Sequence, residues 1–291
     1  VSSEEKKPII PDAFDFTALS TFCSCRYKYY LRHILDIIGL KPPIAAEFGR
    51  VIHLCLAEWY SSFDIDKTIT VLKANWKDFP EDEKRTIAVG EKLLKLYHEK
   101  YKDPPFKILD SELAFEVPIP GMKYKLIGRI DKLIEWHDKI GVMDHKTTSQ
   151  LGATFFNKIK PNAQLTGYAY AGRALRYPVS FVLLDALLTA KGLLTPAYLV
   201  KLTPLARDEA AVTQDDINDY LETLIDTINS IERCYESGKW IKTGMFNGSC
   251  TDYVECPYRK ICKEDANIRE AIIIADYKKE HWDPRKELTD A

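Results

Sequence analysis

After Pro104-Pro105 the periodicity of this chain changes to that of strands. Residues 107 to 117, 123 to 136 and 140 to 147 alternate apolar and polar side chains, the pattern of half-buried strands. Pro120-Gly121 and Asp138-Lys139 supply the turns between them. Strands joined by turns this short form a mostly antiparallel meander, and its apolar face has to be covered by other elements. A helix predicted over residues 161 to 176 crosses to further strands near 179 to 189 and 195 to 202, hinged at Lys191-Gly192, so the sheet becomes mixed.

The cover comes from both ends of the chain, where the period is helical. Residues 1 to 16 read as a flexible lead, and Thr17 is placed to cap a helix running to about Leu35, with Leu19, Phe22, Arg26 and Tyr30 in helical steps. Gly39 to Pro43 breaks it. A second helix, residues 45 to 63, carries Gly49, His53, Leu56 and Tyr60 on one stripe. More helix spans 65 to 101 with an interruption near Phe79-Pro80, and a long helix spans 214 to 237. A cysteine-rich loop and a charged tail finish the chain. The expected class is α/β, with a mixed central sheet flanked by helices. One structural domain is expected, divided into a lead (1–16), a helical part (17–103), a core (104–240) and a cysteine-rich end (241–291). No internal repeat occurs.

Composition excludes little but directs attention. With 291 residues, 46% hydrophobic and 29% charged, the chain is ordinary for a soluble protein with a sizeable core. No apolar run approaches the ~18 residues of a membrane span, and Val1 to Lys7 lacks the character of a secretory signal, so a cytoplasmic location is expected. The net charge of −2 lends no support to nucleic-acid binding, so local distribution has to. Arg26, Lys28, Arg32, Lys41 and Arg50 outnumber Asp36 and Glu47 in one segment, with Tyr27, Tyr29 and Tyr30 interleaved. Arg26, Lys28, Tyr29, Arg32 and Arg50 are therefore candidates for gripping phosphates and stacking bases. The plainer alternative is a solvated helix face with its tyrosines in the core.

Asp144-His145-Lys146 lies in a predicted strand, so Asp144 and Lys146 project from one face, with Val142 before them. Asp131 ends the string Gly128-Arg129-Ile130-Asp131 one strand earlier. Two carboxylates suit a hard cation, and a lysine beside them suits the developing charge of a phosphodiester under attack. An Asp-x-Lys in a strand is by itself more often a surface ion pair. Gln164 and Tyr168, four apart on the next helix, share a face, which is also the habit of an amphipathic boundary. His53, on a helix with Gly49 one turn earlier, is by itself unremarked.

The ordered set His53, Asp131, Asp144-x-Lys146, Gln164-x-x-x-Tyr168 resembles the PD-(D/E)xK nuclease superfamily in its RecB-like branch. So do the strings Phe48-Gly49-Arg50-Val51-Ile52-His53, Gly128-Arg129-Ile130-Asp131 and Val142-Met143-Asp144-His145-Lys146-Thr147, and the agreement runs over residues 17 to 262. The resemblance implies a restriction-endonuclease-like core and a Mg2+ or Mn2+ ion held by His53, Asp131, Asp144 and the backbone carbonyl of His145. It implies that Lys146 serves the nucleophile and that Gln164 and Tyr168 complete the site and hold the substrate strand. Glu112 or Glu116 would add an acidic ligand, as in some relatives. The proline of the superfamily's first letter is absent, since Ile130 precedes Asp131.

The cysteines are uneven. Cys250-x5-Cys256-Pro257-x4-Cys262 is not the paired spacing of a zinc ribbon. Leu19-x-x-Phe22-x-x-Cys25, followed by Arg26 and Tyr29-Tyr30, resembles the opening motif of the iron–sulfur members of the same branch, the AddB-type nuclease domains and the CRISPR-associated RecB-like exonucleases. That resemblance implies a [4Fe–4S] cluster on Cys25, Cys250, Cys256 and Cys262, clasping the two ends of the chain. Arg26 stands where relatives have proline, which keeps Cys23 as a substitute ligand, and zinc on the same four residues is the alternative metal. Cys55 and Cys234 read as small buried apolar residues.

The leading expectation is a DNA exonuclease preferring single-stranded ends. No G-x-x-x-x-G-K-[ST] occurs, so unwinding would fall to a helicase partner. The alternatives are a nuclease that processes CRISPR spacer precursors beside an integration partner, a non-catalytic DNA-binding iron–sulfur module, and a zinc-dependent interaction protein.

Overall fold

The structure is a computed structural model that describes residues 8–41, 43–76, 81–152, 154–195, 202–251, 255–281, 283 and 285. In chain order the elements are β1 (Ala13–Phe14), α1 (Phe16–Ser24), α2 (Arg26–Tyr29), β2 (Ile37–Gly39), α3 (Ile44–Ser62), α4 (Ile65–Asn75) and α5 (Ile87–Tyr101). There follow β3 (Lys107–Pro118), β4 (Lys125–Trp136), β5 (Lys139–Thr148), α6 (Ala163–Ala174), β6 (Val179–Leu188), β7 (Leu205–Ala211) and α7 (Gln214–Ser237). The chain closes with α8 (Arg259–Lys263), α9 (Arg269–Asp276) and β8 (Tyr277–Lys279). It separates into two compact units: Pro42–Ala114 with Arg129–Ile217, and Val1–Lys41 with Phe115–Gly128 and Asn218–Ala291.

The first of these units is built on a mixed sheet. β4 and β5 pair antiparallel from Lys132↔Met143 to Trp136↔Lys139. Their turn is centred on His137 and Asp138, one residue before the expected Asp138-Lys139. Both have positive φ, 51° and 59°, which is the two-residue hairpin turn whose twist matches the flanking strands. β5 and β6 are parallel, from Gly141↔Phe181 to Thr148↔Leu188, and a parallel pair needs a crossover, which α6 provides. β6 and β7 run antiparallel from Phe181↔Ala211 to Leu187↔Leu205.

The strand expected over 195 to 202 falls almost wholly outside the described residues. Lys191–Leu194 is a single 3-10 turn, residues 196–201 lie outside the described residues, and the strand beside β6 is β7, Leu205–Ala211. β7 lies at the end of the strand order and buries only Leu205, so its sequence shows little of the alternation that marks a half-buried strand.

The apolar cover of this sheet is α3, α4 and α5. Asp64 caps α4 by accepting from the Asp66 and Lys67 N–H groups, Thr86 caps α5 through Val89, and Phe63 closes α3 in the left-handed region at φ 52°. The expected interruption at Phe79-Pro80 falls between α4 and α5, outside the described residues. Phe48, Leu56, Trp59, Leu72, Leu93 and Tyr97 pack in one core with Ile134, Met143, Phe181 and Leu183. At about 25 cal/mol per Å2 of apolar area removed from water, each such side chain contributes about 1.5–3 kcal/mol.

In the other unit the predicted helix from Thr17 to Leu35 is shorter and broken. Asp15, not Thr17, caps α1, its Oδ1 accepting from Ala18 N–H at 2.7 Å. Cys25 is extended (φ −164°, ψ 121°), and beyond α2 the chain makes a π-helical turn, Tyr30–Ile34. The break is held by distant partners: Arg26 N–H donates to Thr243 Oγ1 at 3.1 Å and Tyr27 N–H to Ile241 O at 3.0 Å. Helical spacing alone gives no hint of them. The charged tail also folds, because β8 pairs antiparallel with β2 and Tyr277 joins Leu31, Ile37, Tyr258 and Ile261 in a small core. Among the described residues no helix is long and apolar enough to cross a membrane.

Candidate active site

Strand β5 presents Asp144 and Lys146 two residues apart. Lys146 Nζ lies 3.0 Å from Asp144 Oδ1 in hydrogen-bond geometry and 2.8 Å from Oδ2. Only the first contact is a hydrogen bond, so the buried Oδ2 accepts from no donor among the described residues. Asp144 is 1% exposed, whereas the Lys146 side chain keeps 38% of its surface open. α6 covers this face of the sheet, since a Cβ on Gly172 would come within 4.0 Å of Val142 Cγ1.

Asp131 stands one residue before the stretch of β4 that pairs with β5. Its Oδ2 accepts from the His145 backbone N–H at 2.8 Å, a side-chain oxygen in the position of a ladder acceptor. His53 Nδ1 approaches the same oxygen at 3.4 Å from α3. Gly49, one turn earlier on α3, faces Thr147, and a Cβ there would make ordinary contact with its Oγ1 at 3.4 Å.

Charges in this nest perturb one another. Burial works to raise the Asp131 carboxyl, yet His53 and His145 hold it well below the carboxylate range. Burial raises Asp144, Asp131 adds to the rise, and Lys146 opposes it. For His53 and Lys146 burial disfavours the charged form, but Asp131 and Asp144 prevail and raise both. A cation is thus favoured at each basic residue, and one carboxylate stays ionised.

Gln164 Nε2 donates to Tyr168 Oη at 2.9 Å along α6, so these two are joined as the i, i+4 spacing foretold. Burial raises the Glu112 carboxyl and the nearby Asp131 adds to the rise, while Lys132 Nζ lies 3.6 Å and Arg129 Nη1 3.9 Å away. Glu116 pairs instead with Lys125 and Arg285.

The opposite face holds residues the sequence reading missed. His145 Nδ1 meets Asp185 Oδ2 at 2.9 Å, and its ring stacks on Tyr60 with centroids 5.6 Å apart. Asp185 is bonded by Tyr97 Oη at 2.5 Å and Arg207 Nε at 3.0 Å, and Arg207 also donates to Tyr60 and Tyr97. Lys132, fully buried, donates to Asp131 O at 3.0 Å and sits over the Tyr60 ring. A signal existed: Asp185 is the single acid in Phe181-Val182-Leu183-Leu184-Asp185-Ala186-Leu187-Leu188, and a strand buried on both faces keeps a charge only with a partner.

The expected nucleic-acid residues divide. Tyr29, proposed to stack bases, is 1% exposed and lies against Trp240, so it is corrected to a core residue. Arg26 lies over the Phe22 ring, Arg32 donates to Glu280 O at 3.0 Å, and Arg50 pairs with Glu47. Lys28 lines a cavity of about 230 Å3 together with Cys25, Cys250, Cys256 and Cys262. All four are free thiols, and Gly244 leaves them room, since a Cβ there would come 3.3 Å from Cys250 Sγ. Cys23 is exposed and lies beside Thr227, while Cys55 and Cys234 are buried. Among the described residues no group of three or more His, Cys, Asp or Glu side chains is already arranged to hold a metal ion.

The family model for the PD-(D/E)XK nuclease superfamily matches residues 14–263. A solved structure described as "Crystal structure of SSO0001" shares 15% identity over 73% of this chain and 84% of its own, with a TM-score of 0.30, too low to bear on the fold. Comparison with curated proteins gives no match.

Proposed function

The chain belongs to the PD-(D/E)XK nuclease superfamily, and from that premise we propose that it is a metal-dependent DNA exonuclease that prefers single-stranded ends. The observation that carries the reading is the contact of Lys146 with Asp144 on one strand, with Asp131 and His53 gathered beside it.

The donor set suits a hard cation, because Asp144 Oδ2 accepts from no hydrogen-bond donor among the described residues and Asp131 is held ionised. His53, Asp131, Asp144 and the His145 carbonyl would hold Mg2+ or Mn2+. The ion would supply a Lewis acid and a more acidic water. Lys146, kept protonated by its carboxylates and open to solvent, orients the attacking oxygen and neutralises charge on the phosphate. Gln164 and Tyr168, bonded to each other, hold the strand in place.

The four thiols that line one cavity suit a [4Fe–4S] cluster on Cys25, Cys250, Cys256 and Cys262. Burial raises the thiols of Cys256 and Cys262, and Lys28 and Lys242 offset that rise only in part.

The test is digestion of end-labelled linear single-stranded and duplex DNA, and of internally labelled circular DNA, with Mg2+, Mn2+ or no divalent ion. Metal-dependent shortening of linear single strands is expected, with circles spared. No cleavage under any of these conditions overturns the nuclease reading; circles cut as fast as linear DNA overturn the exonuclease.

A further inference from the structure

Between β5 and α6 the chain makes a short 3-10 turn, Phe155–Ile159, that no role above uses. It follows the strand of Asp144 and Lys146 directly and leads into the helix of Gln164 and Tyr168. Lys158 Nζ rests 3.4 Å from the centroid of the Phe155 ring. Phe155 in turn meets Phe156 edge to face, with centroids 5.2 Å apart, and both rings are only half-buried.

Lys158 differs from its neighbour in its partners. Lys160, two residues on, is neutralised by Asp216 at 2.7 Å. Lys158 forms no ion pair among the described residues, and Asp144 of the site is a carboxylate near enough to act on its charge. Burial and the nearby Lys146 both lower its pKa, so two cations share a small region whose acid is already engaged by one of them. Such a surplus of positive charge suits an anion supplied from outside the protein.

We propose that Phe155 and Lys158 form a subsite for the nucleotide next to the scissile phosphate of a single strand, Lys158 on the neighbouring phosphate and Phe155 beneath its base. The proposal rests on the nuclease reading for its substrate and adds the feature that selects a single strand. In the free protein the ammonium covers the Phe155 ring. A phosphate, which carries a full charge, draws the ammonium away and opens that ring to a base. Only an unpaired base has a face to offer, because the bases of a duplex are already stacked on their neighbours.

The test is fluorescence anisotropy of the full chain with labelled single-stranded and blunt duplex oligonucleotides, without divalent metal, over a range of salt. Lys158→Gln is expected to weaken single-strand binding about tenfold and to reduce the salt slope by about 0.7, the value for one phosphate contact on a single strand. Phe155→Ala, with Phe155→Leu as the variant that keeps apolar bulk, is expected to weaken single-strand binding about tenfold and duplex binding less than twofold. Unchanged affinity and slope in Lys158→Gln, equal losses on both substrates in the Phe155 variants, or no single-strand binding by the wild type would each overturn the subsite. A wild type that binds single strands but does not cut them with Mg2+ or Mn2+ refutes the nuclease reading alone, since the binding comparison stands without cleavage.

Discussion

The His145 backbone N–H donates to Asp131 Oδ2 over 2.8 Å, which ties the strand of Asp144 and Lys146 to the carboxylate of the neighbouring strand. The same residue is fixed from its other side, where its ring meets Asp185 at 2.9 Å. The residue between Asp144 and Lys146 is thus tied to the neighbouring strand through its backbone and to Asp185 through its imidazole.

Asp144→Ala is expected to reduce cleavage of labelled single-stranded DNA to background and to leave DNA binding largely intact. The change removes a buried carboxylate and none of the cations that meet phosphate. Lys146→Ala is expected to lose about a hundred- to a thousandfold in rate while still binding divalent metal in calorimetry. A fast Asp144→Ala enzyme would place the site elsewhere.

Asp185→Ala is expected to destabilise the protein by about 3–5 kcal/mol in urea unfolding, because Arg207 is left as a buried charge without its partner. The pH dependence has a definite sign. Burial opposes ionisation of Asp185, but Arg207 and His145 lower its pKa from 3.8 to about 2. A pKa lowered on folding gives stability that is complete above about pH 4 and lost as pH falls through about 2. The wild type should lose stability across that window more steeply than Asp185→Asn; parallel curves would contradict the assignment.

Gly141→Ala should cost about 1–3 kcal/mol, since a Cβ there would fall 2.3 Å from the Phe181 ring, whose carbons have little room to retreat within the core. Gly121→Ala is the contrast: no atom lies within 4 Å, and only its positive φ of 74° opposes the change. Melting temperatures of the two variants would rank them, and an unaffected Gly141→Ala would show that the ring moves aside.

Cys256→Ser is expected to lower iron content and thermal stability together, since the cluster would join Cys25 to a loop more than two hundred residues away. Iron and sulfide analysis with a visible spectrum reads the first, and a melting curve the second. Colourless wild-type protein holding zinc alone would refute the cluster.

Much of the site was legible because its residues sit on regular elements. Asp144 and Lys146 share a face through a period of two, and Gln164 and Tyr168 through a spacing of four. Such relationships lie within one turn or one strand, where covalent geometry decides them. Tyr29, Asp185 and Lys158 were not legible in the same way. The helix that would have exposed Tyr29 is broken at Cys25 by partners at Ile241 and Thr243, and the ring is buried against Trp240. Asp185 finds His145, Arg207 and Tyr97 across separate strands and a helix, and Lys158 finds Phe155 on a turn without periodicity. The sequence by itself determined how neighbours within an element align, and so which side chains share a face. Only the tertiary structure decided which charges are paired and which aromatic rings remain open, because pairing and burial depend on segments far apart in the chain.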